Sequence, residues 1–137
     1  MPLPTTEEII EDLAFFDDWE DRYKYIIDLA KVLPSFDASL RTDERLVRGC
    51  QSSVWIDFTQ KKGVLSFNVD SDAIIVKGLL ALVMAAFDKK SPAEILAFDM
   101  DGFFVELDLA SHLSPTRGNG LKAIVSKIQS IAKHSNV

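Results

Sequence analysis

The sequence predicts an α+β protein, in which helices pack on a small antiparallel β-sheet. Apolar residues recur at helical spacing near both ends of the chain, whereas they alternate with polar residues in its middle. The apolar run 78–87 is about half the length that spans a bilayer, so we expect it to be buried against the sheet. With 47% hydrophobic and 26% charged residues, the 137-residue chain is expected to form one domain over residues 1–137.

The N-terminal part of the chain predicts a helical hairpin. Thr5 or Thr6 is expected to cap a helix whose first turn is acidic, as the helix dipole favours. A second helical pattern begins at Asp18 or Trp19. It ends at Pro34, because proline cannot continue a helix.

The middle of the chain predicts a β-hairpin. Residues 35–44 are polar and aperiodic, which is typical of an irregular connection. Apolar and polar residues then alternate from Ser53 to Asp70, and a turn is expected at 61–63. Residues 45–47 could add a short neighbouring strand.

The C-terminal half predicts four further helices after the hairpin. The acidic run 70–72 offers N-caps for a buried central helix over 73–87, and 91–94 has the capping residues of a short helix. Residues 101–113 fit helix or strand, and helix is favoured. Ser-Pro at 114–115 predicts the start of a last helix with one apolar face.

Charge and cysteine content exclude several classes of function. A net charge of −6 and a pI near 4.8 argue against a nucleic-acid partner, because phosphate binding requires clustered basic residues. Cys50 is the only cysteine, which excludes an intramolecular disulfide and a Cys-rich metal site, and we expect no bound metal. The N-terminal residues lack the features of a secretory signal, so a reducing cytoplasm and no membrane association are expected.

Cys50 is the candidate reactive residue, at a predicted loop tip before the first strand. Gly49 allows backbone conformations that could turn the thiol outward, and Arg45 and Arg48 are near enough in sequence to favour the thiolate. Further groups could donate hydrogen bonds to a sulfur anion: Ser52, Ser53 and the backbone amides around Gln51. A buried, inert cysteine explains the same local sequence equally well.

A second chemistry also fits these residues. A cysteine hydrolase or transferase could use Cys50 as nucleophile and His112 as base, with Asn119 or Asp108 orienting the imidazole. The glycines at 118–122 lack the full phosphate-loop pattern, so nucleotide binding is not indicated.

Three segments resemble the signature blocks of the SufE family in order and spacing. They are VRGCQSSVW at 47–55, SDAIIVKGL at 71–79 and HLSPTRGNGL at 112–121. The resemblance runs from about Thr6 to Ile131. It implies the α+β fold that this family shares with IscU-type scaffolds. A cluster scaffold is a further alternative, although one cysteine supplies too few ligands for a cluster.

The resemblance also implies a function and a set of site residues. Members accept a persulfide sulfur from a PLP-dependent cysteine desulfurase of the SufS type, stimulate that enzyme and pass sulfur to an iron–sulfur scaffold complex. Such a protein is an accessory factor without a cofactor of its own, expected as a monomer or weak homodimer. Cys50 would be the acceptor, and the supporting or partner-facing residues would be Arg48, Gly49, Gln51, Ser52, Asp72 and Arg117.

Overall fold

A computed structural model of the chain describes residues 3–49, 52–109 and 111–135. Its helices are α1 (Thr6–Phe15), α2 (Trp19–Leu29), α3 (Ile74–Phe87), α4 (Pro92–Ala97), α5 (Met100–Glu106) and α6 (Pro115–His134). Its strands are β1 (Val54–Lys61) and β2 (Val64–Ser71), and short 3-10 turns occupy Ala30–Val32 and Ala38–Leu40. The described residues combine these helices with a two-stranded antiparallel sheet, so the predicted α+β fold is confirmed.

The predicted helical hairpin is present as α1 and α2. Thr5 caps α1 in a capping box with Glu8, and Asp18 caps α2 by accepting a hydrogen bond from a backbone amide. The hydroxyl of Tyr25 donates to Asp12 Oδ2 across the two helices at 2.7 Å. Burial raises the pKa of Tyr25 above its ordinary value, and the hydrogen bond to the Asp12 carboxylate raises it further.

The β-hairpin has a two-residue turn, Lys62-Gly63, shorter than the predicted 61–63. Both turn residues have positive φ angles, 53° and 81°, which match the twist of the flanking strands. The predicted neighbouring strand is a single bridge, in which Leu46 pairs with Trp55. The bridge therefore pairs the chain before Cys50 with the chain after it.

Helix α3 forms the centre of the hydrophobic core, with most of its side chains buried. It begins at Ile74 with Ala73 as N-cap, and no side chain caps it. The predicted N-caps at 70–72 are therefore wrong, because β2 continues to Ser71 and takes up two of the three residues. No helix in the described ranges is long and apolar enough to cross a membrane.

Asp70 is buried in an ion-pair network at the end of β2, with only 3% of its surface exposed. Arg41 Nη2 lies 2.6 Å from Asp70 Oδ2, and Lys77 Nζ lies 3.5 Å from Asp70 Oδ1. The guanidinium of Arg41 also lies over the ring of Trp55, 5.7 Å from its centroid. The positive charges of Arg41 and Lys77 compensate the negative charge of the buried Asp70 carboxylate.

The C-terminal helices follow their local signals in part. The capping box at Ser91 and Glu94 and the start of α6 at Pro115 are confirmed. The helix predicted over 101–113 is right only for its first half, because α5 ends at Glu106 and Asp108 has a positive φ of 55°.

Removing the cap of α4 should lower stability. Ser91→Ala deletes the side chain that accepts from the Glu94 amide at 3.1 Å, so we expect a loss of about 1 kcal/mol in the free energy of unfolding. Urea denaturation measures this change. Ser126→Ala is the control, since Ser126 is exposed within α6. Equal urea midpoints for the two variants would contradict the prediction.

Candidate functional site

The three signature segments meet at one cavity of about 70 Å³. The first segment contributes Ser52 and Val54, the second contributes residues from the first turns of α3, and the third contributes the start of α6. The lining residues are Ser52, Val54, Val76, Leu79, Ser114, Thr116, Arg117, Gly120, Leu121 and Ile124. Segments that are far apart in sequence therefore form one site.

The loop that carries the cysteine is held from its N-terminal side by the bridge and by close packing. The amide of Val47 donates to the carbonyl of Val54 at 2.8 Å. Gly49 has a φ of +94°, and a Cβ built on it would lie 3.2 Å from the Ala123 Cβ of α6. Cys50 and Gln51 lie outside the described residues, so their predicted roles remain predictions.

Gly49 should not tolerate a side chain. Gly49→Ala would place a Cβ in the left-handed region, at a cost of about 1–2 kcal/mol, and would also crowd Ala123. Gly63→Ala is the matched control, because Gly63 has a φ of +81° with open space around it. We expect urea unfolding to show a larger loss of stability for the Gly49 variant. A loss no larger than that of the Gly63 variant would contradict the close approach to α6.

Arg117 lines the cavity from the first turn of α6. Its backbone amide donates to the capping Oγ of Ser114 at 3.2 Å, and its Nη1 donates to the Tyr23 hydroxyl at 3.1 Å. Sequence reasoning singled out Arg117 but missed Tyr23, which lies 94 positions earlier on α2. No local pattern links residues so far apart.

Asp72 connects the C-terminal side of the cysteine loop, at Ser53, to the start of α3. Its Oδ1 accepts a hydrogen bond from the Ser53 amide at 3.1 Å. Its own amide donates to the Ser53 carbonyl at 3.3 Å. Asp72 is exposed, so the same side chain that fixes the loop is also accessible at the surface.

The two arginines near the cysteine in sequence have different surroundings. Arg45 Nε lies 2.8 Å from Asp57 Oδ1 on β1, and its Nη1 donates to Thr42 Oγ1. Its charge is thus paired with a carboxylate, which weakens its predicted action on a thiolate. Arg48 is exposed at the surface of the loop.

His112 is not among the residues that line the cavity. Its ring stacks on Trp19 with centroids 3.9 Å apart, and its Nε2 lies 3.4 Å from Asp108 Oδ2. It lines a shallow groove with Trp19 and Tyr23, whereas Asn119 is exposed on α6. Within the described residues, no three His, Cys, Asp or Glu side chains are grouped to hold a metal.

The family model described as SufE, "Fe-S metabolism associated domain", matches residues 7–132, so the chain carries a domain associated with iron–sulfur metabolism. An uncharacterized SufE-like protein of Rhizobium etli is 43% identical over 136 residues, which cover 96% of this chain and 91% of the relative. A second, from Rhizobium meliloti, is 42% identical and covers 96% of both chains. The chain belongs to the SufE family, and the predicted resemblance is confirmed.

A solved structure shows the same fold. The solution structure of a hypothetical protein from Thermus thermophilus superposes with a TM-score of 0.76. It is 20% identical in sequence, and the match covers 97% of this chain and 96% of that one. At this identity the likeness concerns the fold alone.

Proposed function

We propose that this protein accepts a persulfide sulfur from a PLP-dependent cysteine desulfurase of the SufS type onto Cys50. It would stimulate that enzyme and pass the sulfur to an iron–sulfur scaffold complex. One observation carries the proposal: the three signature segments line one cavity, whose wall includes Ser52, two residues from Cys50 in the sequence. Membership of a family associated with iron–sulfur metabolism supports it.

The transfer is a thiol–disulfide type of exchange. The Cys50 thiolate attacks the terminal sulfur of the desulfurase persulfide, forming a new sulfur–sulfur bond to Cys50. The original sulfur–sulfur bond breaks, and the desulfurase cysteine leaves as a thiolate. The reaction needs no external oxidant or reductant, because one sulfur–sulfur bond replaces another and the transferred sulfur keeps its oxidation state. A single acceptor thiol is sufficient.

The walls of the cavity suit an anionic sulfur. Val54, Val76 and Leu79 supply apolar surface, and a charge is solvated less well beside such surface than in open water. Arg117 supplies a cation at the same wall. A thiolate or a persulfide anion would be favoured beside this guanidinium.

Stimulation of the desulfurase follows from removal of its product. Taking the terminal sulfur regenerates the desulfurase thiol for another turnover, so this protein needs no cofactor and acts as an accessory factor. The exposed side chains Arg48 and Asp72, on either side of the loop, are the candidates for contact with the enzyme. We place this exchange in the cytoplasm.

Intact-protein mass spectrometry tests the proposal. After incubation with a SufS-type desulfurase and cysteine, we expect a mass increase of one sulfur atom that a reductant removes. We also expect cysteine turnover by the desulfurase to rise with the concentration of this protein. Incubation without cysteine is the control.

The absence of added sulfur with several desulfurases would overturn the proposal. The alternative of a cysteine hydrolase would then be tested on ester and amide substrates. That alternative predicts a complete loss of activity in His112→Ala, whereas sulfur acceptance does not use His112 as a base.

A further inference from the structure

We infer that Tyr23 is a positioning residue for Arg117. Its hydroxyl holds the guanidinium at the cavity wall and leaves the positive charge available to an anionic sulfur. The inference rests on the proposed function and deepens it, because it names a residue outside the three signature segments.

Arg117 is held both at its backbone and at the end of its side chain. The backbone amide is held by the Ser114 cap at 3.2 Å, at the start of α6. The guanidinium Nη1 is held by the Tyr23 hydroxyl at 3.1 Å, on α2. Tyr23 and Arg117 are both partly buried, so this hydrogen bond is shielded from full competition by water.

The Arg117 guanidinium contacts an uncharged group, whereas two other arginines contact carboxylates. Arg41 and Arg45 are each paired with a carboxylate, at 2.6 and 2.8 Å. In the part of the chain that the structure describes, Arg117 makes no ion pair, and its guanidinium donates to a phenolic hydroxyl, which is uncharged near neutral pH. A neutral acceptor fixes the direction of the guanidinium without cancelling its charge.

This arrangement has a direct consequence for sulfur transfer. An arginine side chain has many rotamers, and one that is not held at its end spends much of its time away from any single site. The Tyr23 hydroxyl restricts Arg117 to the cavity wall before the sulfur arrives. The negative charge of the attacking Cys50 thiolate, and that of the persulfide anion formed on Cys50, then meets a cation already in place.

Tyr23→Phe tests the inference, because it removes only the hydroxyl. We expect single-turnover transfer from persulfidated desulfurase to slow about five- to tenfold, as for the loss of one ordinary hydrogen bond. In an Arg117→Gln background, Tyr23→Phe should cause no further slowing. Tyr25→Phe is the matched control on the same helix, since it removes the hydrogen bond to Asp12 and should leave the transfer rate unchanged.

Two results would overturn the inference. One is transfer by the Tyr23→Phe protein at the wild-type rate, and the other is an equal loss of rate with and without Arg117.

Nuclear magnetic resonance of the free protein gives a readout that needs no desulfurase. The Arg117 guanidinium should rotate slowly in the wild type and rapidly in Tyr23→Phe, and rapid rotation in both would also overturn the inference.

The same experiments separate this inference from the proposed function. If the wild type accepts no sulfur, the proposed function fails, while guanidinium rotation still reports whether Tyr23 holds Arg117. If the wild type accepts sulfur and Tyr23→Phe does so equally fast, the proposed function stands and the inference fails.

Discussion

Cys50→Ser is expected to abolish the uptake of reductant-labile sulfur and the stimulation of the desulfurase. A serine hydroxyl is not ionised near neutral pH and does not form the sulfur–sulfur bond on which transfer depends. The substitution keeps nearly the same volume, so circular dichroism and the urea midpoint should remain close to those of the wild type. Intact-mass spectrometry after incubation with desulfurase and cysteine measures the uptake.

The control is a protein that carries its one thiol elsewhere. Combining Cys50→Ser with Ser130→Cys moves the thiol to an exposed position on α6, outside the residues that line the cavity. We expect little transfer to that thiol. Sulfur on the Cys50→Ser protein, or equally fast transfer to the relocated thiol of the control, would contradict a specific acceptor role for Cys50.

Gly78→Ala is expected to give the largest loss of stability among the glycine substitutions. Gly78 lies where α3 meets α2, and a Cβ there would collide with the Ile26 carbonyl group and lie 2.9 Å from Ile26 Cγ2. The backbone of α2 cannot move aside without opening the core. Overpacking costs up to about 3 kcal/mol, and the better helix propensity of alanine returns about 1 kcal/mol. We therefore expect a net loss of about 2 kcal/mol.

Gly118→Ala provides a control of opposite sign. Gly118 is also helical, but a Cβ built there has nothing within 4 Å. It should gain stability from helix propensity alone, by up to about 1 kcal/mol. Urea denaturation of the two variants measures both changes. A stable Gly78→Ala protein would show that α2 and α3 are farther apart than described.

Sequence reasoning succeeded where a structural signal is local. The Ser-Pro starts of α4 and α6 depend on residues within one helical turn, and both helices begin where predicted. The β-hairpin follows from an alternating pattern and a short turn around Gly63. The three family segments each contribute residues to the cavity, although the sequence did not predict the cavity itself.

Sequence reasoning failed where a residue depends on distant partners. Asp70 fits a helix cap when only its neighbours are considered, but Arg41, 29 positions earlier, pairs with it in the fold. Arg45 is paired with Asp57 for the same kind of reason. Tyr23 carries no local feature that connects it with Arg117.

The cavity also sets an order of events during synthesis. Its walls come from Ser52 through Ile124, and the wall that holds Arg117 belongs to the last helix of the chain. Because a chain leaves the ribosome from its N-terminus, Cys50 emerges well before this wall exists. A nascent chain therefore presents Cys50 before Arg117 has been made, and under the proposed function the acceptor becomes competent only when α6 has packed onto the core.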